Sequence, residues 1–251
     1  MDVQLISTTE SWAQYAVAGP NARNLLRKIV DAEFDISNEA FPFMACGAIT
    51  VCDGLRARLF RISFSGELAY EIAVPTRYGD AMIRALIDAG EEFGGCAYGT
   101  EALGVMRIEK GHATGNELNG TTTALNLGMD RLVSTQKDSI GAVLSRRDGL
   151  TGDDALKLVG LKPCRKSDPV PAGSHLMTKG SPIDAKHDQG YVTSACYSPT
   201  LGHHIAIGFL KAGDQRLGEI VRLVSPLNKI EHDVEVVSAH FVDPKGDKLR
   251  A

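Results

Sequence analysis

Phe60 to Pro75 read FRISFSGELAYEIAVP, and the fold of the first half of the chain turns on how this stretch is arranged. Its pattern predicts a strand, a tight turn at Ser65-Gly66 and a second strand, with Gly66 supplying backbone freedom that a Cβ would remove. In the second strand Leu68, Tyr70, Ile72 and Val74 alternate onto one face, while Ala69, Glu71 and Ala73 share the other. A carboxylate between two alanines leaves room beside it. It suits a ligand edge with two adjacent N–H donors, such as an aminopyrimidine or pterin ring, although a surface glutamate on a half-exposed strand gives the same pattern.

Upstream, Asp2 to Ser7 and Trp12 to Val17 read as two short strands, an abrupt entry that suggests a start inside a domain. Gly19-Pro20 opens a helix whose Ala22, Leu25, Leu26 and Ile29 recur at helical spacing and belong to the core. Met44 to Val51, a turn at Asp53-Gly54 and Leu55 to Phe64 form a hairpin pattern that leads into the Glu71 strand. Thr76 is placed to cap the following helix, in which Met82, Leu86 and Ala89 lie on one side before Gly90.

Downstream, Thr100 is placed to cap a helix running to Lys110, with Gly111 as its stop. Arg107 lies on it, and a partly buried guanidinium requires a carboxylate: Glu71, an anionic ligand tail, or at the surface Glu101. Gly111 to Leu127 form a Gly/Asn/Thr-rich connector. Asp138 begins a helix carrying Ile140, Val143 and Leu144. From Leu156 the pattern becomes six short strands: Leu156 to Leu161, His175 to Thr178, Tyr191 to Tyr197, His204 to Phe209, Glu219 to Val224 and Val234 to Val242. Their spacing predicts a small antiparallel barrel or sandwich, and the whole an α+β protein with a boundary near residue 150.

Composition narrows the chemistry. Of 251 residues 43% are hydrophobic and 23% charged, and the formal charge of -4 with no dominant Lys/Arg block argues against nucleic acid as a partner. Five scattered cysteines without a CxxC fit reduced, mostly buried thiols rather than disulfides or zinc. The seven histidines lack HxH or HExxH spacing, so metal binding is disfavoured. The start MDVQLISTTE has no signal-peptide pattern, and no apolar run approaches the roughly 20 residues of a membrane span, so a cytoplasmic location away from membranes is expected. No Gly-x-Ser-x-Gly or Gly-x-Gly-x-x-Gly occurs, which removes the hydrolase elbow and the dinucleotide fingerprint.

Four ordered blocks carry a family resemblance: FRISFSGELAYE from Phe60, YGTEALGVMRIEKGHATGNEL from Tyr98, GYVTSACYSPTLGHHIAIG from Gly190, and Phe-Val-Asp-Pro from Phe241. They resemble the folate-binding aminomethyltransferases typified by the glycine cleavage T-protein. EKGHATGNELNGTTTA and the Lys137-Asp138 run bring the chain closer to the carboxyl-terminal part of heterotetrameric sarcosine oxidase alpha subunits. The resemblance implies an incomplete folate-binding domain at 1–150, lacking its amino-terminal part, and a carboxyl-terminal β-barrel at 151–251. It implies a tetrahydrofolate site in which Glu71 binds the pterin and Arg107 lies near the folate. Phe64 stands where the family usually has tyrosine, keeping an aromatic wall without the hydroxyl.

The family's catalytic carboxylate lies upstream of the matched region, so no residue here is expected to be catalytic. The implied activity is capture, as 5,10-methylenetetrahydrofolate, of the one-carbon unit released when sarcosine is oxidised. Flavin and NAD are expected elsewhere in the complex. The implied partners are the other sarcosine oxidase subunits and the remaining part of the alpha subunit, and the isolated chain is expected to be inactive. Two alternatives are an aminomethyltransferase fragment and a folate-dependent assembly scaffold. The scaffold members carry Lys-Gly-Cys-x-x-Gly-Gln-Glu, and here His112 and Asn116 replace the cysteine and glutamine.

Overall fold

The computed structural model describes residues 2–134 and 136–251. It divides into two compact units, one comprising Met1–Met106 with Lys245–Ala251 and the other Arg107–Pro244.

In the first unit a four-stranded antiparallel sheet has the order β1-β4-β3-β2, with β1 Trp12–Ala18, β2 Cys46–Val51, β3 Leu55–Phe60 and β4 Ala69–Pro75. Helices α1 (Ala22–Leu26) and α2 (Gly79–Gly90) belong to the same unit. The predicted helical stripe is core: Ala22, Leu26 and Ile29 pack with Met82, Leu86 and Ala89 and with Leu68, Tyr70, Ile72 and Val74 of the central strand. Alternation along β4 therefore commits one face to apolar packing and leaves Glu71 on the other.

Several local expectations are corrected. Asp2 to Ser7 form no strand and are exposed. The 52–54 turn has three residues, all at positive φ, and the Asp31 carboxylate accepts from the amides of Asp53 and Gly54. β3 ends at Phe60 rather than Phe64, and residues 61–68 form a broad loop instead of a two-residue turn. Arg61 stands at this end: its buried side chain donates to the carbonyls of Phe41 and Ala251, both at 2.8 Å, while its backbone still pairs with Met44 and Ala45. Thr76 does not cap α2, because it lies in the 3-10 turn Thr76–Tyr78 and its hydroxyl donates to the Glu10 carbonyl. The cysteines are free thiols, but Cys46, Cys52, Cys96 and Cys164 are exposed rather than buried.

The expected helix is present as α3 (Thr100–Lys110), with Thr100 as its first residue rather than its cap. Gly111 follows at φ +77, where a Cβ would meet the Ala239 carbonyl oxygen at 2.4 Å. The short helix α4 (Ile140–Leu144) begins two residues after Asp138. The six predicted strands are β5 (Leu156–Pro163), β6 (His175–Met177), β7 (Asp188–Ser198), β8 (His203–Lys211), β9 (Ile220–Ser225) and β10 (Ile230–Val237). They close into an antiparallel barrel of order β10-β5-β8-β7-β6-β9, which resolves the choice between barrel and sandwich and bears out the α+β class. β10 stops at Val237 rather than Val242, because the amides of Phe241 and Val242 turn to donate to the Glu109 carbonyl. A last helix, α5 (Asp247–Arg250), belongs to the first unit.

The barrel interior is filled by Val159, Leu161, Leu176, Val192, Leu210, Val221, Leu223, Val234 and Val236. Leu161→Ala is expected to cost about 2–5 kcal/mol of stability through lost burial and the cavity left behind. The fully exposed Leu227 provides the control, with Leu227→Ala expected within about 0.5 kcal/mol of the parent in urea unfolding.

Candidate functional site

Glu71 sits at the centre of the sheet surface turned away from the core. In the register it lies between Ala16 on β1 and Phe60 on β3, and Ala69 and Ala73 flank it along β4. One row on, Arg58, Ala73 and Gln14 are aligned, and beyond them Trp12 faces Pro75. The Arg58 guanidinium lies 3.9 Å from the Trp12 ring centroid, so the pair reaches across β4. The sequence suggested open space around Glu71, whereas Ala69 and Ala73 are buried and Glu71 itself is half-buried. Side chains from the two neighbouring strands account for the difference at Ala73, since a small residue in a central strand is overarched by longer ones beside it.

The Gln14 amide Nε2 donates to Glu71 Oε2. Tyr98, in the segment before α3, is also within reach of this charge: burial first, and the Glu71 carboxylate second, push its phenol above the ordinary tyrosine range. Phe64 lies exposed in the 61–68 loop. That loop is tied at several points: Ser63 Oγ accepts from the Gly66 amide, Lys248 Nζ pairs with Glu67 at 2.8 Å, and Arg61 holds the Ala251 carbonyl.

Arg107 belongs to the second unit. As its burial requires, it meets a carboxylate, but one absent from the sequence-based candidates: Nη1 lies 3.1 Å from Glu117 Oε2. Nη1 also donates to the His112 carbonyl and Nη2 to Ser194 Oγ, while the Ser194 hydroxyl donates to Glu117 Oε1 at 2.7 Å. A register shift between Val192 and Ser194 bulges β7 where this contact forms. The Thr114 amide donates to the same carboxylate at 2.8 Å. Burial raises the Glu117 pKa, but the Thr193 and Ser194 hydroxyls, the Thr114 amide and Arg107 together outweigh it, leaving the carboxyl below the ordinary glutamate range.

The neighbouring residues of α3 are similarly engaged. Ser198 and Thr200 donate to Glu109, and Lys110 pairs with Asp243 at 2.9 Å. Burial, reinforced by Glu109 and opposed by Arg107, pushes the Cys196 thiol up to about 11, which leaves it protonated and unreactive at neutral pH. Among the histidines, His175 and His187 pair with Asp188 and Asp184, and His203, His232 and His240 contact backbone carbonyls. Among the described residues no group of three or more His, Cys, Asp or Glu is arranged to hold a metal. A hollow of about 550 Å³ at residues 28–33 and 52–54 lies beside Asp31, whose carboxylate already holds the hairpin turn.

Residues 1–137 match the GCVT N-terminal domain, and residues 157–243 match the Glycine cleavage T-protein C-terminal barrel domain. The chain belongs to the glycine cleavage T-protein family. Within the family it is similar to sarcosine oxidase subunit alpha of Rhizobium meliloti, at 45% identity over 99% of this chain and 25% of that protein. It is also similar to sarcosine oxidase subunit alpha of Corynebacterium sp. strain P-1, at 38% identity over 99% of this chain and 26% of that protein. The chain thus spans about a quarter of the length of these relatives. The crystal structure of aminomethyltransferase T from Bartonella henselae shares the fold, with a TM-score of 0.73 at 23% identity, covering 93% of this chain and 60% of that one. The T-protein-like part and the barrel expected from the sequence are therefore both present. Among the described residues, no helix is long and apolar enough to cross a membrane.

Neutralising Glu117 leaves Arg107 buried without its counter-charge, so Glu117→Gln is expected to cost about 3–5 kcal/mol at pH 7. Because the native Glu117 pKa is depressed, its contribution is fully present above the unfolded value, roughly 4.3, and is lost as pH falls through the lower native value. The gap between parent and variant in thermal unfolding should therefore narrow on acidification.

Proposed function

We propose that the sheet face around Glu71 binds the pterin of tetrahydrofolate. On this reading the chain is the folate-holding part of a larger sarcosine-oxidising enzyme that captures the released one-carbon unit as 5,10-methylenetetrahydrofolate. The observation that carries the reading is the placement of Glu71: a carboxylate in the middle of a sheet, among alanines, on the face its core does not use. A carboxylate accepts two parallel hydrogen bonds, which matches the ring N–H and exocyclic amino group of a pterin. Tyr98, whose phenol is pushed up by burial and by the Glu71 carboxylate, supports a ring at this face, and Phe64 is proposed as an aromatic wall that lost only the hydroxyl usual in the family.

When bound, tetrahydrofolate supplies the nucleophilic nitrogens that accept the one-carbon unit. The chain's own residues contribute by holding and orienting the ring, which converts an encounter into a positioned reaction. Arg107 is a separate part of the proposal. Its carry-over rests on the resemblance of YGTEALGVMR to the family, and its pairing with Glu117 makes it a support for the second unit's frame as well as a proposed folate contact. The proposed division is a folate-binding domain at 1–150 and a barrel at 151–251, supported by family matches that end at 137 and begin at 157. Similarity to sarcosine oxidase alpha subunits favours sarcosine oxidation over glycine cleavage, with flavin and NAD held elsewhere in the larger protein and its partner subunits.

Calorimetric titration of the chain with folinic acid should show saturable binding. Glu71→Ala is expected to abolish it, and Phe64→Ala to weaken it about fivefold through lost ring contact. Binding unchanged in Glu71→Ala would overturn the assignment.

A further inference from the structure

We infer that Gln14 is a second reading residue of this site, orienting Glu71 and accepting from the exocyclic amino group of the ligand; the inference rests on the pterin assignment above. The residues nearest Glu71 in the sheet are Phe60 and Ala16 across the strands and Ala69 and Ala73 along its own. None of these side chains has a polar atom that could fix the rotation of the carboxylate. Gln14 supplies the fixing contact from one row away, with Nε2 donating to Glu71 Oε2. Its reach is geometric. Gln14 is aligned with Ala73, on the same sheet face as Glu71, and a long side chain spans the diagonal between neighbouring rows of a sheet.

The donation has two consequences. It occupies one of roughly four acceptor positions on the carboxylate and turns the remaining ones toward the ligand side. It also fixes the glutamine flip, because an amide that donates through Nε2 must carry Oε1 beside it as an acceptor. Glu71 and Gln14 together thus offer acceptors on either side of the Gln14 Nε2, whose first N–H is taken by Glu71. A ring N–H beside an exocyclic NH2 carries three hydrogens, one more than a carboxylate alone can match in the ring plane. The second amino hydrogen falls to Gln14 Oε1. The ligand class selected is therefore a 2-amino-4-oxo ring, and an otherwise identical ring bearing methyl in place of the amino group is rejected.

The test is a titration of the full chain with folinic acid and with its 2-desamino-2-methyl analogue. Parent, Gln14→Leu, Gln14→Ala and Glu71→Ala are compared, with each variant checked for folding by circular dichroism and thermal unfolding. Gln14 is exposed, so both of its variants are expected to unfold like the parent. Each should bind folinic acid about tenfold more weakly, the loss of one hydrogen bond to a charged group and one to the ligand. Each should weaken the analogue less, through the lost Glu71 contact alone, so that discrimination between the two ligands shrinks. A purely structural role for Gln14 would weaken both ligands equally. Undiminished discrimination in the Gln14 variants, with binding lost in Glu71→Ala, overturns this inference and leaves the pterin site standing. Absence of binding by the folded parent, or binding indifferent to Glu71, overturns both.

Discussion

The antiparallel register of β4 between β1 and β3 is the constraint on which the first unit depends. With Glu71 opposite Ala16 and Phe60, the apolar set Leu68, Tyr70, Ile72 and Val74 faces the helices and the carboxylate faces out. A slip of one residue would exchange the two sets and bury Glu71 among Leu26, Met82 and Leu86. The cost of an unpaired charge in that core makes the observed register self-enforcing. The same arithmetic that stabilises the sheet therefore exposes its one central acid.

Holding a site on a central strand has a physical advantage over holding it on a loop. β4 is hydrogen-bonded on both sides, so the Cα of Glu71 is fixed by two ladders and only its side-chain torsions remain free. The 61–68 loop, which carries Phe64, gains its order differently, from Arg61 at its root and from Lys248 and Ala251 near the end of the chain. Rigid strand and tethered loop are ordered by separate means.

In the second unit a buried ion pair plays the organising part. Arg107 and Glu117 are both shielded from water, and each uses several polar atoms on backbone and hydroxyl partners. Such a pair is a modest source of net stability, since desolvation offsets much of the attraction, but a strong source of specificity, because any arrangement that separates the partners strands a charge. It joins the end of α3, the 111–117 turn and the bulged β7 strand. The Lys110–Asp243 contact extends the same frame to the segment after β10, and Glu109–Ser198 extends it to the end of β7.

Legible along the chain were the alternation that puts Glu71 opposite the core face, the amphipathic stripes of the helices, the six barrel strands and the need of Arg107 for a carboxylate. These are local properties, set by a period of two or 3.6 residues or by the chemistry of one side chain. Tertiary structure decided which carboxylate Arg107 meets, and that partner comes from a turn ten residues on, braced by a serine on a distant strand. GNEL at residues 115–118 held the only signal for it, an acid just after a helix stop, and nothing local distinguished Glu117 from Glu101. It also decided that β3 ends at Phe60, just before the buried Arg61 side chain reaches the carbonyls of Phe41 and Ala251. That Gln14 meets Glu71 was likewise hidden, since strands 57 residues apart in sequence become neighbours only when the sheet forms. Periodicity is legible along a chain, but pairing across it depends on which surfaces exclude water together.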